Sequence, residues 1–249
     1  MPDRFTAQAG AAPRPGTIVS CAVSVDGYLD DATRVRLILS GPEDLDEVDA
    51  LRAGADAIMV GAGTIRKDNP RLLVRDRARV AAREAAGRAA HPFRVTLTSS
   101  GNLDPDASFF TGPGTPLVYC PAAAAPRAAG SLGSKAEIIA VAPELTLAAV
   151  LADLYAERGV ATLLVEGGAR VLRDLLAADL VDELRLAVAP FFVADPAAPR
   201  FALPAPYPHT AANPMTLLSV RRVGDVAVHH YRLTDRVRPG PASPRQVSF

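Results

Sequence analysis

The chain has 249 residues, 49% of them hydrophobic and 22% charged, and its 27 basic and 27 acidic side chains give a formal net charge of zero. That length fits one large α/β domain with a sizeable core, and the balance of charge offers no basic face for nucleic acid or an anionic membrane surface. Two cysteines, Cys21 and Cys120, are too few for a disulfide framework or a cysteine-rich zinc site.

Residues 1–15 are polar, Ala-rich and Pro-punctuated, and are expected to form a flexible arm. "TIVSCAVSV" reads as a strand ended by the turn dipeptide Asp26-Gly27. "EDLDEVDALRAG" carries Leu45, Val48 and Leu51 at helical spacing, with acidic residues in its first turn and Gly54 just past its end. "DAIMVGAG" is a short apolar strand breaking at glycine, and "FRVTLTSS", "PLVYC" and "EIIAV" follow as further strands. "REAAGRAAHP" and "PAAAAPRAAG" read as Ala-rich surface insertions or frayed helices. "LTLAAVLADLYAERG" is amphipathic and stops at Gly159. "VATLLV" is then a fully buried strand, "ARVLRDLLAADL" a helix and "DELRLAVAP" a strand. "LLSVRRVGDVAVHHYRL" reads as a hairpin turning at Gly224-Asp225, and residues 235–249 as a loose, Pro-interrupted tail. Alternating strands and helices that end in a hairpin predict an α/β fold: a mainly parallel central sheet flanked by helices, with an antiparallel C-terminal hairpin.

Three stretches place polar residues or glycine at strand ends, where open α/β sheets bind ligands. In "VEGGAR", Gly167 and Gly168 let a ligand approach the backbone. Ala169 and Arg170 open a helix whose free N–H groups suit a pyrophosphate, and Glu166 stands beside the cleft. A plain strand-to-helix turn explains the stretch about as well. In "VGAGTIRKDNPRLLVR", Gly61, Gly63 and Thr64 follow a strand, but Arg66 replaces the third glycine of a dinucleotide fingerprint. In "SVDGYLDD", Asp26-Gly27 after a strand is more often only a turn. His91 and His209 sit beside prolines, while His229 and His230 point to opposite faces of a strand and do not share a metal. Only Lys67 and Lys135 could form a Schiff base. No leader pattern and no bilayer-length apolar run is visible, so the expected location is the cytoplasm.

Taken in order and at their spacing, "AVSVDGYLDD", "ADAIMVGAGTIRKDNPRLLVR" and "LLVEGGARVLRDLLAADLVDELRLAVAPFFV" resemble the reductase domain of riboflavin biosynthesis, over residues 16–234. The resemblance implies a dihydrofolate reductase-like fold, NADPH as cofactor and no metal. It implies reduction of the ribosyl group of a 5-amino-6-(5-phosphoribosylamino)uracil, or a close relative, to a ribityl chain. It places the cofactor on Gly61, Gly63, Thr64, Gly167, Gly168, Ala169 and Arg170, with Ser99 and Ser100 near the 2′-phosphate. It also implies a homodimer, for which the C-terminal hairpin is the expected interface. Glu166, with Asp26 behind it, is the expected proton donor or electrostatic helper. Ser24, Ser40, Asn69, Arg71 and Arg75 are the expected substrate contacts.

The chain departs from the family at Ser20, Ile38, Leu45 and Asn69, which stand where a lysine, a tryptophan, an arginine and an aspartate are usual. The cofactor half is kept and the substrate half altered. Dihydrofolate reduction, or nucleotide binding without turnover, are the alternatives. The zinc deaminase signature that often precedes this reductase occurs nowhere in the chain.

Overall fold

Strand β1 (Gly16–Ser24) lies near the middle of a nine-stranded sheet, seen in a computed structural model that describes residues 13–33, 35–142 and 144–234. The sheet continues through β2 (Ala57–Gly61), β3 (Phe93–Leu97), β4 (Leu117–Pro121), β5 (Glu137–Val141), β6 (Thr162–Gly167) and β7 (Glu183–Ala189). Its order is β5-β4-β3-β2-β6-β1-β7, and these seven strands run parallel. The hairpin β8 (Thr216–Val223) and β9 (Val226–Arg232) completes one edge antiparallel, with β9 against β7. The expected mainly parallel sheet and terminal hairpin are both present.

Parallel strands covered on both faces read as unbroken apolar runs, and β6 shows why. Leu163 and Val165 face Leu151 and Leu154 of α6 (Leu147–Ala156) and Leu172 and Leu175 of α7 (Ala169–Ala177). Leu164, pointing the other way, packs in a second core with Ile58, Val60, Phe109 and Phe110. Each of these side chains is nearly or wholly buried.

The chain lays down β1, steps to β2, moves outward to β5, then returns to insert β6 between β2 and β1. That reversal opens a crevice at the carboxyl ends of β1, β6 and β2, the place where doubly wound sheets take ligands. Helix α1 (Pro42–Gly54) lies near it; α3 (Arg77–Ala85) ends three residues into the first Ala-rich stretch, and α5 (Ala125–Leu132) takes up most of the second. Asp76 caps α3 by accepting from the Arg79 amide at 2.8 Å.

The expected arm extends less far than residue 15. Arg14 is buried and donates to both Asp182 oxygens at 2.7 and 2.9 Å, and Asp182 also accepts from the Thr17 amide at 2.8 Å. This staples the start of β1 to the residue before β7. Residues 1–12 of the arm and the whole expected tail, 235–249, lie outside the described residues. No helix among those described is long and apolar enough to cross a membrane.

Candidate active site

The crevice is a cleft of about 700 Å³. Gly61 at the end of β2, Ser99 and Ser100 beyond β3, and Glu166 and Gly167 of β6 form its floor. One wall is the first turn of α7, with Gly168, Ala169 and Arg170. The other is α2 (Ala62–Asp68), a helix of seven residues in the stretch that follows the Gly-rich strand end. Ser40 closes the rim. All nine residues expected at the cofactor are therefore gathered in one place.

The glycines divide the work. A Cβ on Gly168 would stand 3.3 Å from the Gly61 amide nitrogen and 3.5 Å from Thr64 Oγ1, and one on Gly61 would stand 3.1 Å from Val171 Cγ2. These two positions let β2 and α7 come together. Gly167 and Gly168 also have φ of +153° and +92°, which side-chain-bearing residues rarely adopt. Gly63 is different: it lines the cleft, and a Cβ there meets nothing within 4 Å. A dinucleotide fits this cradle, with bare backbone on two sides and a hydroxyl between them.

The cleft is also cationic. Among the described residues, Arg36, Arg66 and Arg170 line it without an ion-paired carboxylate, while Lys67 is matched by Asp30 at 2.6 Å. Such a wall suits phosphorylated ligands.

Its carboxylates differ from expectation. Glu166 lines the cleft, but its two oxygens accept from Arg52 Nε and Nη2, each at 2.6 Å. Burial opposes the charge on Arg52, yet the hydrogen bond and the charge of Glu166 raise its pKa. Both Glu166 oxygens are thus used as acceptors by Arg52 at the cleft. Asp68, at the C-terminal end of α2, is the contrasting group. It lines the cleft, makes no ion pair among the described residues, and has a buried Oδ1 without a hydrogen-bond partner. Burial pushes its pKa up, and the charge of Asp30 adds to this against the opposing pull of Arg36 and Lys67.

Several expected residues stand elsewhere. Asp26 is outside the cleft. Its carboxylate accepts from Ser24 Oγ at 2.5 Å and from the Val193 and Ala194 amides at 3.1 and 2.8 Å. Some desolvation works against its charge, but these hydrogen bonds hold its pKa below the ordinary carboxylate range. It organises a turn, and the wholly buried Ser24 is spent in the same network. Asn69 caps α2 with φ of +45° and accepts from the Ser108 amide at 2.6 Å. Arg75 donates to the Leu45 carbonyl at 2.6 Å, its backbone amide bonds Asp49, and Arg71 is exposed away from the cleft. Cys21 lines the cleft but is inert as a nucleophile, because burial pushes its thiol up to about 12 against the charge of Arg185.

Arg36, Arg66, Lys67, Asp68 and the Arg52 partner of Glu166 were not among the residues expected to bind or act in this cleft. The signal for Asp68 was its place before Asn-Pro. For Arg52 there was none.

Comparison with known proteins agrees with this geometry. The model of the RibD C-terminal domain matches residues 15–228. The chain is 34% identical, over 72% of its length and 82% of the relative's, to the 2,5-diamino-6-ribosylamino-4(3H)-pyrimidinone 5′-phosphate reductase of Archaeoglobus fulgidus. Among solved structures, a pyrimidine reductase-like protein of Corynebacterium diphtheriae superposes with a TM-score of 0.73 at 24% identity, covering 89% of this chain and 93% of that one. Acinetobacter baumannii RibD gives a TM-score of 0.73 at 23% identity over 89% of this chain; the match spans 58% of that protein's length. These two likenesses show the fold. The family model and the Archaeoglobus relative show the rest: the chain belongs to the RibD C-terminal domain family, the pyrimidine reductases of riboflavin biosynthesis.

Proposed function

We propose that the chain reduces a phosphoribosylamino-pyrimidine with NADPH, and that 2,5-diamino-6-ribosylamino-4(3H)-pyrimidinone 5′-phosphate is preferred to its deaminated uracil form. The observation that carries the reading is the pairing of a glycine cradle with a half-buried, unpaired Asp68 in one cationic cleft. The choice of substrate rests on three relatives, 31–34% identical, that bear the diamino name. NADPH rather than NADH is supported by Ser99, Ser100 and the unpaired Arg66 around the carboxyl end of β3, a setting for a 2′-phosphate.

When bound, the nicotinamide supplies a hydride to C1′ of the sugar. Asp68 gives its proton to the ring oxygen as the C1′–O bond breaks, and the exocyclic nitrogen's lone pair forms the C1′–N double bond. Glu166, held by Arg52, stabilises the positive charge that this places on nitrogen. Hydride addition returns the electron pair to nitrogen, so the substrate gains one hydride and one proton.

NADPH oxidation measured with the diamino pyrimidinone, the uracil form and dihydrofolate in parallel tests this. Turnover of either pyrimidine, the diamino form faster, supports the reading. Oxidation with dihydrofolate alone, or with none of the three despite tight NADPH binding, defeats it. Asp68→Asn is expected to lower kcat by about a hundredfold, the usual contribution of a placed proton donor. A donor must be protonated, so wild-type kcat falls as pH rises through the elevated pKa of Asp68. The variant's profile is expected to lack that limb, and an unchanged profile would remove Asp68 from the mechanism.

The assembly is proposed to be a homodimer through the outer strand β8, where Leu217, Leu218 and Val220 are 44–53% exposed. Light scattering at micromolar protein is expected to give twice the 26.0 kDa chain mass. Val220→Glu is expected to give the single mass.

A further inference from the structure

A second cavity, of about 370 Å³, opens at the opposite end of the same strands. Asp56 and Phe93, at the amino ends of β2 and β3, and Gly159, in the turn before β6, help to line it. With five-residue strands between them, the two cavities are about 16 Å apart.

The cavity wall carries Arg83, Arg88, Arg94 and Arg158. Arg158 is matched by Glu137 at 2.7 Å and Asp153 at 3.5 Å. Arg88 is matched by Asp56 at 2.7 Å. Arg83 and Arg94 have no carboxylate partner among the described residues, although they are only 5% and 2% exposed. Both are held by carbonyl oxygens, and Arg94 also lies over the Phe109 ring, 5.7 Å from its centroid. Arg83 donates to Ala53, Ala55 and Ala89, and Arg94 to Phe109, Gly112, Pro113 and Gly114.

Carbonyls hold a guanidinium in place without cancelling its charge. The C-terminal end of α1, which Arg83 and Arg88 cap, offers only about half a negative charge. With Arg158 matched by its own two carboxylates, Arg83, Arg88 and Arg94 face only Asp56 and half a helix charge, so the wall as a whole keeps a net positive charge. Burial lowers the pKa of both Arg83 and Arg94. His91 lines the same wall with a buried Nδ1 that has no partner. Burial, with the charges of Arg83 and Arg94 against the opposing pull of Glu84 and Asp49, lowers its pKa. Two fixed guanidinium groups without a carboxylate partner beside a cavity of this size suit a small dianion by charge, and Arg83 Nη2 and Arg94 Nε are the donors not given to carbonyls.

We propose that this cavity is a second ligand site, separate from the catalytic cleft, for a small dianion of the phosphomonoester class. It is lined by Arg83, Arg94, Arg88 and His91.

Thr115 offers a test that spares the fold. It is exposed at the cavity mouth, next to Gly114, whose carbonyl accepts from Arg94 Nη2 at 2.6 Å. Thr115→Glu sets a carboxylate beside the unmatched charge. Titration calorimetry of NADPH-saturated protein with inorganic phosphate, and separately with glycerol 3-phosphate, is expected to show one saturable site that weakens at least tenfold in Thr115→Glu. NADPH affinity is expected to be the same in variant and wild type. Arg83→Gln is expected to weaken the site as strongly; should that variant fail to fold, having lost its bonds to α1, the Thr115→Glu result decides alone. Absence of saturable binding by the wild type overturns the proposal. So does binding that Thr115→Glu leaves intact, which would put the anion in the catalytic cleft instead.

Discussion

Gly63→Val is expected to weaken NADPH binding at least tenfold in a protein that still folds. Gly63 is the second residue of α2, exposed, in an ordinary helical conformation, lining the cleft, and a Cβ there would meet nothing within 4 Å. Valine is no worse than glycine in a helix, so the fold loses nothing. The side chain instead fills space where a pyrophosphate would meet the backbone, and losing about 1.4 kcal/mol there is already tenfold. The same change at Gly167 or Gly168 is a poorer test. Their positive φ makes any side chain strained, and a Cβ on Gly168 would crowd Gly61. Lost binding there could come from a distorted cradle. The chain has no tryptophan, so enhancement of the reduced nicotinamide's own fluorescence is a clean readout, with thermal unfolding as the control. Unchanged affinity in a folded Gly63→Val protein would move the cofactor phosphates away from α2.

What the sequence made legible were the strand ends. Glycine after an apolar run is a local signal, and Gly61, Gly63, Gly167 and Gly168 meet in space because the strands carrying them are neighbours through β6. What it hid depended on side-chain direction. "AGTIRKDN" has turn chemistry in its last residues, yet it folds as one short helix, and that turn of helix brings Lys67 and Asp68 to the cleft. One residue later, Asn69 adopts φ of +45° and its amide leaves the site for the Ser108 backbone. Asp26 looked like an acid at a strand end. Its neighbours Ser24, Val193 and Ala194 supply enough donors to make it a structural anchor, and two of those three lie more than 160 residues away.

The partner of Glu166 is the sharpest case, because Arg52 is 114 residues distant and nothing in either local pattern joins them. Arg52→Met is expected to destabilise the protein by about 3 kcal/mol, the lower end of the cost of stripping one partner from a buried ion pair. The lower end applies because the two side chains keep 17% and 11% of their exposure. Glu166→Gln is expected to cost less. Its amide oxygen still accepts from Arg52, which also donates to the Leu73 carbonyl at 3.3 Å. The double variant Arg52→Met, Glu166→Gln is expected to be more stable than Arg52→Met alone, since it leaves no unpaired carboxylate, and denaturant midpoints of the four proteins read that coupling. Activity separates the pair from Asp68. Glu166→Gln should lower kcat by weakening the negative field at the developing C1′–N charge, while the limb of the pH profile assigned to Asp68 stays in place. If Glu166→Gln removed that limb instead, the proton would come from Glu166, and the pairing with Arg52 would have to open during turnover.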